Sequence, residues 1–267
     1  MTVQSGHLKD LAGREYWNVL WERGYVRRYN PRSYYDYRLS KLFHQLITPN
    51  SRVLEIGCGS SRWLPYFAKS LQCEVWGIDY STAGVALAQR NLEAERVAGT
   101  IIFGDAFDNH NLPQKYFDVI WSGGFVEHFA DVSSVVRQLS AYLRPNGLMI
   151  TAIPNLEGCI GWLHRVVDRQ VYEAHVKIPP HILDAAHSRV GFEPVLPAGY
   201  LGVLSIGVVN FNRFRKRLPR SLDRLLWLGV LAIQQGFCLP CRICDVHPES
   251  KSFSPWIIGA YRLPCAV

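Results

Sequence analysis

The chain has 267 residues, of which 48% are hydrophobic and 19% charged, and its formal net charge is +7. This length and composition are ordinary for a globular protein and suit one α/β domain with appended helices. The positive charge is compatible with an acidic substrate, an anionic membrane or nucleic acid. The amino terminus lacks a signal-like segment, and no run of about 18 strongly apolar residues is evident, so we expect neither export nor a membrane-spanning helix. Seven scattered cysteines then predict reduced thiols and a cytoplasmic protein.

Residues 8–47 are predicted to form two helices that are broken at Asn30-Pro31. Aromatic and basic residues crowd this region, and two compatible hypotheses explain them. The aromatic side chains pack on the main domain as a cap, or they form a lid that lines a binding pocket. We therefore place a domain boundary between an N-terminal helical cap, residues 1–48, and a main domain, residues 49–267.

The stretch SRVLEIGCGSSRW, residues 51–63, predicts a strand, a sharp turn and a helix. Residues 53–56 are mostly apolar and suit a short buried strand. Gly57 and Gly59 allow the chain to turn and leave space for a ligand against the backbone. The serines at 60–61 are suited to cap the helix that follows. This arrangement is typical of a nucleotide-type cofactor site at the carboxyl end of a parallel strand.

A second strand is predicted at residues 73–78 and ends next to Asp79. Asp79 lies 22 positions after Gly57, close to the spacing expected for an acid that binds ribose hydroxyls. The dinucleotide fingerprint requires a third glycine where this chain has Arg62, which argues against NAD.

The E-x-G-x-G pattern and the acid ending strand two resemble the class I S-adenosylmethionine-dependent methyltransferases. Later segments agree in order: Gly104-Asp105-Ala106, a fourth strand at 117–121, and residues 143–150, which are similar to the family's "LkPGG" turn. The resemblance covers roughly residues 35–200. It implies a Rossmann-like, seven-stranded and mostly parallel sheet with helices on both faces and an antiparallel last strand.

The resemblance also implies a site for S-adenosylmethionine and its product S-adenosylhomocysteine. The implied residues follow strands one to four: Glu55, Gly57, Cys58, Gly59, Asp79, Tyr80, Asp105, Ala106, Ser122 and Gly123. Glu55 would lie near the ammonium group, and the backbone amides of 57–59 would face the carboxylate. Asp79 would accept the ribose hydroxyls, while Tyr80 and Asp105 would contact the adenine. The alternatives are a tight turn without a ligand and plain helix caps at the two aspartates.

Glu127 and His128 are the candidate catalytic pair, in the segment SGGFVEH after strand four. Methyl transfer to a hydroxyl needs a base, and histidine has a suitable pKa. The alternative is that His128 only caps or packs the following helix. The segment is similar to that of quinone-biosynthesis O-methyltransferases. The N/D-P-P-Y/F motif of nucleic-acid amino methyltransferases is absent, which argues against DNA or RNA acceptors.

Substrate-facing insertions are expected at about 155–180 and 212–250. Within and after the first we predict a helix at 160–167, an irregular loop at 170–178 and a helix at 181–188. The sixth strand is expected to begin at 192–194 and the last to occupy 253–263, antiparallel beside the sixth.

A basic run at 212–224 precedes an apolar helix at 225–237. Two hypotheses remain open for residues 213–237: simple packing against the core, or an acceptor lid with peripheral contact to an anionic membrane. The predicted helix is too short to span a bilayer.

Cys238, Cys241, Cys244 and His247 recur at every third residue. Such a spacing can bind zinc or an iron–sulfur cluster. However, zinc sites usually pair two separated knuckles, and Pro240 is expected to disrupt a regular turn. We therefore predict apolar packing of these cysteines and no metal.

The predicted function is methyl transfer from S-adenosylmethionine to an oxygen or nitrogen of a small-molecule or lipid-like acceptor. The alternative is a catalytically silent S-adenosylmethionine-binding subunit that regulates a partner. The acceptor and the oligomeric state are not determined by the sequence, and the expected location is cytoplasmic or membrane-peripheral.

Overall fold

A seven-stranded sheet organises the chain in the computed structural model, which describes residues 8, 10–22, 24–108, 110–167, 169–203 and 219–265. The strands are β1 Arg52–Ile56, β2 Glu74–Asp79, β3 Thr100–Phe103, β4 Phe117–Gly123, β5 Leu143–Pro154, β6 Glu193–Leu201 and β7 Trp256–Arg262. The helices are α1 Arg14–Glu22, α2 Tyr34–Leu46, α3 Trp63–Ser70, α4 Thr82–Glu95, α5 Val132–Ser140, α6 Cys159–Val167, α7 Arg169–Glu173, α8 Pro180–Ser188 and α9 Arg220–Ile243. A single 3₁₀ turn is described at Val126–His128.

The strand order is β3-β2-β1-β4-β5-β7-β6. Strands β1 to β5 are parallel, whereas β7 runs antiparallel between β5 and β6. The predicted fold class is therefore confirmed. Because β2 and β4 lie on opposite sides of β1, the chain changes its winding direction there, and a crevice opens at the carboxyl ends of these strands.

The core lies on both faces of the sheet. Val53 and Leu54 are neighbours on β1, point to opposite faces and are both fully buried. Helices cover each face, so the strand is a continuous apolar run rather than an alternating one. This burial holds the strand ends, and hence the crevice, in a fixed position.

The two N-terminal helices differ in how they are attached. Helix α2 begins at Ser33, whose side chain accepts a hydrogen bond from the Asp36 amide, and it buries Leu39 and Phe43 in the core. Helix α1 contains no fully buried residue and lies over the crevice. The predicted break between two helices is observed, and α1 is the more loosely packed of the two.

Two predicted elements need correction. The segment 170–178 is not wholly irregular, because helix α7 occupies Arg169–Glu173. The helix predicted at 225–237 is longer, since α9 extends over 24 residues and contains Pro240. A proline removes one amide donor, and near the end of a long helix the remaining hydrogen bonds keep the backbone helical.

Helix α9 is also far more exposed than a packed helix would be. Its segment Ser221–Ile243, 23 residues, is long and apolar enough to cross a membrane, and only 6% of its apolar window is buried. This finding corrects the expectation that no such segment is present. Of the two open hypotheses for residues 213–237, it argues against simple packing against the core. Of the basic run at 212–224, residues 212–218 lie outside the described residues.

Candidate functional site

A cleft of about 910 Å³ lies at the carboxyl ends of β1, β2 and β4. Asp79, Asp105 and His128 all line it. Residues of α1 line the cleft as well, and Trp227 and Leu231 of α9 also contribute to its lining. The cleft therefore joins the predicted cofactor residues to the predicted acceptor segment.

The turn after β1 is held by hydrogen bonds within the protein. Gly57 has a φ of +69°, a conformation that favours glycine. The amides of Gly57 and Cys58 donate to the Ile78 carbonyl at 2.9 and 3.2 Å, and the Gly59 amide donates to Asp79 Oδ2 at 2.8 Å. These amides were predicted to face a ligand carboxylate, but they already have protein acceptors. The Cys58 side chain is fully buried in the core and does not line the cleft.

Glu55 is a buried carboxyl at the edge of this turn. It accepts a hydrogen bond from the Ser61 hydroxyl, and Ser61 Oγ in turn caps α3 by accepting from the Trp63 and Leu64 amides at 2.9 and 3.2 Å. Burial raises the pKa of Glu55 to about 8. A cation placed beside Glu55 would favour the ionised form and lower that pKa again. The carboxyl is therefore suited to an ammonium group.

Asp79 lies at the end of β2, as predicted. Its Oδ1 accepts the Ser81 amide and its Oδ2 accepts the Gly59 amide, both at 2.8 Å. Burial raises the pKa of Asp79 to about 6. A carboxylate has about four acceptor positions, so two remain for ligand hydroxyls.

The three remaining residues of the predicted adenine end lie close to Asp79. The Tyr80 hydroxyl donates to Asp10. Asp105 is exposed and accepts the Phe107 amide at 2.9 Å, while Ala106 is buried and its carbonyl accepts from the Tyr142 hydroxyl at 2.8 Å. All three line the cleft.

The end of β4 brings backbone rather than side chain to the cleft. Gly123 and Gly124 line it, and Gly124 has a φ of +77°. A Cβ at Gly123 would lie 2.5 Å from the Trp121 ring, so a larger residue would not fit. Ser122 is fully buried and does not line the cleft, and its hydroxyl has no hydrogen-bond partner within the described ranges.

The His128 ring faces two backbone carbonyls, those of Ala174 and Gly124. Its Nδ1 lies 3.2 Å from the Ala174 carbonyl, and because a carbonyl only accepts, we assign the hydrogen to Nδ1. Nε2 then carries a lone pair. Burial, and next the neighbouring His175, lower the pKa of His128 to about 4, so the ring is neutral at pH 7. This is the protonation state that a proton acceptor requires.

Glu127 and His175 complete a cluster around His128. Glu127 Oε1 lies 4.0 Å from His128 Nε2, and the ligand atoms of the three side chains lie within 4.8 Å of one another. Burial raises the pKa of Glu127 to about 8, and its Oε2 has no hydrogen-bond partner among the described residues. Sequence reasoning missed His175 because it lies 47 positions after His128, outside any strand-end motif.

The cysteine segment at the end of α9 lies away from this cluster. Cys238 is buried beside Tyr34 and Val203. His247 contacts the Tyr34 hydroxyl and Asp245 through its two ring nitrogens, each at 3.0 Å. The predicted apolar packing is thus observed for Cys238, whereas Cys244 is exposed.

Comparisons with known proteins match part of this chain to methyltransferases. Residues 54–151 match the family model described as a methyltransferase domain. The ubiquinone biosynthesis O-methyltransferase of Bradyrhizobium sp. is 32% identical over 104 residues, which are 39% of this chain and 40% of that protein. The chain therefore matches less than half the length of this curated relative.

Two solved structures share the fold. The phosphoethanolamine N-methyltransferase 2 of Haemonchus contortus, solved with S-adenosyl-L-methionine, has a TM-score of 0.61 at 14% identity and covers 98% of this chain and 61% of its own. The [4+2]-cyclase SpnF has a TM-score of 0.59 at 17% identity and covers 91% and 86%. Because one of the two is described as a cyclase, the fold alone does not define the reaction. Residues 54–151 are thus similar to a methyltransferase domain, and the chain shares the fold of S-adenosylmethionine-dependent methyltransferases.

Proposed function

We propose that this chain transfers the methyl group of S-adenosylmethionine to an oxygen or nitrogen of a small-molecule or lipid-like acceptor. One observation supports this most directly. A single cleft joins two buried carboxyls, Glu55 and Asp79, to a histidine whose lone pair is available, His128. A regulatory subunit without activity would need the carboxyls but not the histidine.

The two buried carboxyls, Glu55 and Asp79, fit the cofactor. Glu55 is buried with the Ser61 hydroxyl as a hydrogen-bond partner and Arg62 nearby, and the ammonium of S-adenosylmethionine would add a positive charge directly beside it. Asp79 retains acceptor positions for the two ribose hydroxyls. Bound there, the cofactor supplies an electrophilic methyl group on a sulfonium sulfur.

The glycine backbone and His128 serve the transfer itself. Gly123 and Gly124 bring bare backbone to the cleft, where the acceptor would approach the methyl group in line with the bond that breaks. His128 Nε2 takes the proton that a hydroxyl acceptor loses, while its Nδ1–H stays on the Ala174 carbonyl. Residues of α1 line the cleft and would limit the access of water to this step.

The acceptor end of the cleft is largely apolar. Leu156, Trp227, Leu231 and Trp256 line it together with Tyr172 and His164. Such a lining favours an acceptor with an apolar body and a polar reacting group. Nucleic acid is not proposed.

The acceptor can be identified directly. Purified protein is incubated with methyl-labelled S-adenosylmethionine and a cell extract, and labelled products are identified by mass. We expect one small or lipid-like labelled product with the wild type and, at low cofactor concentration, none with Asp79→Ala. Label confined to nucleic acid or protein would contradict the proposal.

We also propose that α9 and the preceding basic residues contact an anionic membrane. Leu225 and Ile233 are 67% and 72% exposed, and each basic residue near an anionic surface contributes about 1 kcal/mol. Binding to vesicles that contain anionic phospholipid should therefore fall steeply with salt and with Arg215→Glu, Lys216→Glu and Arg217→Glu together. Reversal at two exposed arginines elsewhere, Arg90 and Arg137, is the control and should leave binding unchanged. Equal binding to neutral vesicles, or none at low salt, would contradict this proposal.

A further inference from the structure

Two tryptophans of α1 contact the two ends of the cleft. Trp17 and Trp21 are one helical turn apart, and their rings stack at 5.7 Å with an interplanar angle of 22°. Trp21 lies at Asp79, and the edge of Trp17 meets His128 at 4.9 Å and 85°. One short helix thus contacts the proposed ribose site and the proposed base.

Trp21 occupies a space that only glycines leave open. A Cβ at Gly59 would lie 2.6 Å from Trp21 Nε1, and a Cβ at Gly84 would lie 2.9 Å from Trp21 Cδ1. The indole rests between these glycines, beside the Asp79 carboxylate. Asp79 is 6% exposed in this arrangement, so a ribose reaches it only if the indole moves.

Trp17 is tied to both strand ends through Asp10. Its Nε1 donates to Asp10 Oδ2 at 3.0 Å, and the same carboxylate accepts from the Tyr80 hydroxyl. The next residue, Leu11, donates its amide to the His128 carbonyl at 3.0 Å. A movement of α1 and residues 10–11 relative to Tyr80 would therefore also move the contacts made with His128.

Helix α1 is free to act in this way because the core does not hold it. It has no fully buried residue, and a further hydrogen bond, from the Ser81 hydroxyl to Asn18 Oδ1 at 2.7 Å, joins it to the N-terminus of α4. Its position is thus set by contacts with α4 and with the residues that line the cleft.

We propose that Trp17 and Trp21 are a positioning pair that couples the ribose site to His128. Trp21 shields Asp79 until ribose hydroxyls replace the indole there. The accompanying shift of Trp17 sets the orientation of His128 for the acceptor, so the cofactor binds first. This inference rests on the proposed function and names residues that control the order in which cofactor and acceptor bind.

Single substitutions separate the two contributions. Trp21→Ala should raise the association rate of S-adenosylmethionine on the order of tenfold, because Asp79 is then accessible without displacement of the indole. Trp17→Ala should leave cofactor affinity within about twofold but lower turnover on the order of tenfold. Trp162→Ala removes an exposed tryptophan of α6 and serves as the control. Trp17→Phe should restore most of the turnover lost in Trp17→Ala.

A second measurement does not depend on turnover. The titratable groups facing His128 are Asp10, Glu127 and His175. Loss of the Trp17 ring admits water and should raise the pKa of His128 toward its ordinary value, as measured by NMR of the imidazole. If Trp21→Ala leaves the association rate unchanged, or Trp17→Ala changes neither the His128 pKa nor turnover, the pair has no such role. A wild-type protein that binds cofactor but methylates nothing would instead refute the proposed function. The association-rate and NMR measurements would still test the role of the tryptophan pair in that case.

Discussion

Replacing Asp79 with alanine is expected to weaken S-adenosylmethionine binding about 10- to 100-fold. The change leaves two ribose hydroxyls without a partner in a buried site, and an unsatisfied buried polar group costs about 1–3 kcal/mol. It also removes the acceptor of the Gly59 and Ser81 amides, which hold the glycine turn. Calorimetric titration with S-adenosylmethionine measures the effect.

The controls separate binding from folding. Asp79→Asn keeps the size of the side chain and one acceptor oxygen, so its loss of affinity should be smaller. Because burial raises the pKa of Asp79 to about 6, the carboxylate is present above that pH, and wild-type affinity should fall as the pH drops through 6. Unchanged affinity in a folded Asp79→Ala protein would contradict the assignment of this residue.

Replacing His128 with alanine should lower turnover roughly a hundredfold or more while cofactor affinity stays nearly intact. The reason is that Nε2 is the proposed proton acceptor and does not contribute to the ribose end of the cleft. The pKa of His128 is lowered to about 4, so the ring stays neutral as the pH falls from 7 to 5. Turnover at saturating cofactor should therefore show no loss at pH 6.5, where an ordinary histidine would protonate.

A matched histidine tests the specificity of this effect. His110 is 99% exposed on its side chain, and His110→Ala should have normal turnover. Normal turnover in His128→Ala would mean that alignment of the acceptor suffices and that His128 is structural.

The sheet could be predicted because its signals are local. Val53, Leu54 and Ile56 mark β1, and Gly57 marks the point where the chain must turn. In a parallel sheet the carboxyl ends of neighbouring strands meet, so Asp79 and His128 were placed at the same edge from the order of the motifs alone.

Contacts between distant segments could not be predicted in this way. The direction of the Cys58 side chain depends on its packing against Gly77, and its amide is taken by Ile78. The position of the Trp21 indole depends on two glycines that are 25 positions apart in the sequence, Gly59 and Gly84. No local pattern reports which helix will lie over which strand end.

The length of α9 was missed for a different reason. Gly229, Gly236 and Pro240 interrupt its apolar pattern, and such residues usually end a helix. The helix continues through them, and most of its apolar window stays exposed.

The central claim, methyl transfer in this cleft, is tested most directly by stoichiometry. S-adenosylhomocysteine and methylated acceptor are quantified together over time for the wild type, His128→Ala and Asp79→Ala. We predict one molecule of each product per turnover in the wild type, slow but still equal formation in His128→Ala, and neither product at low cofactor concentration in Asp79→Ala. Cofactor binding by the wild type with no S-adenosylhomocysteine formed, with the acceptor present, would contradict the claim and favour a silent regulatory subunit.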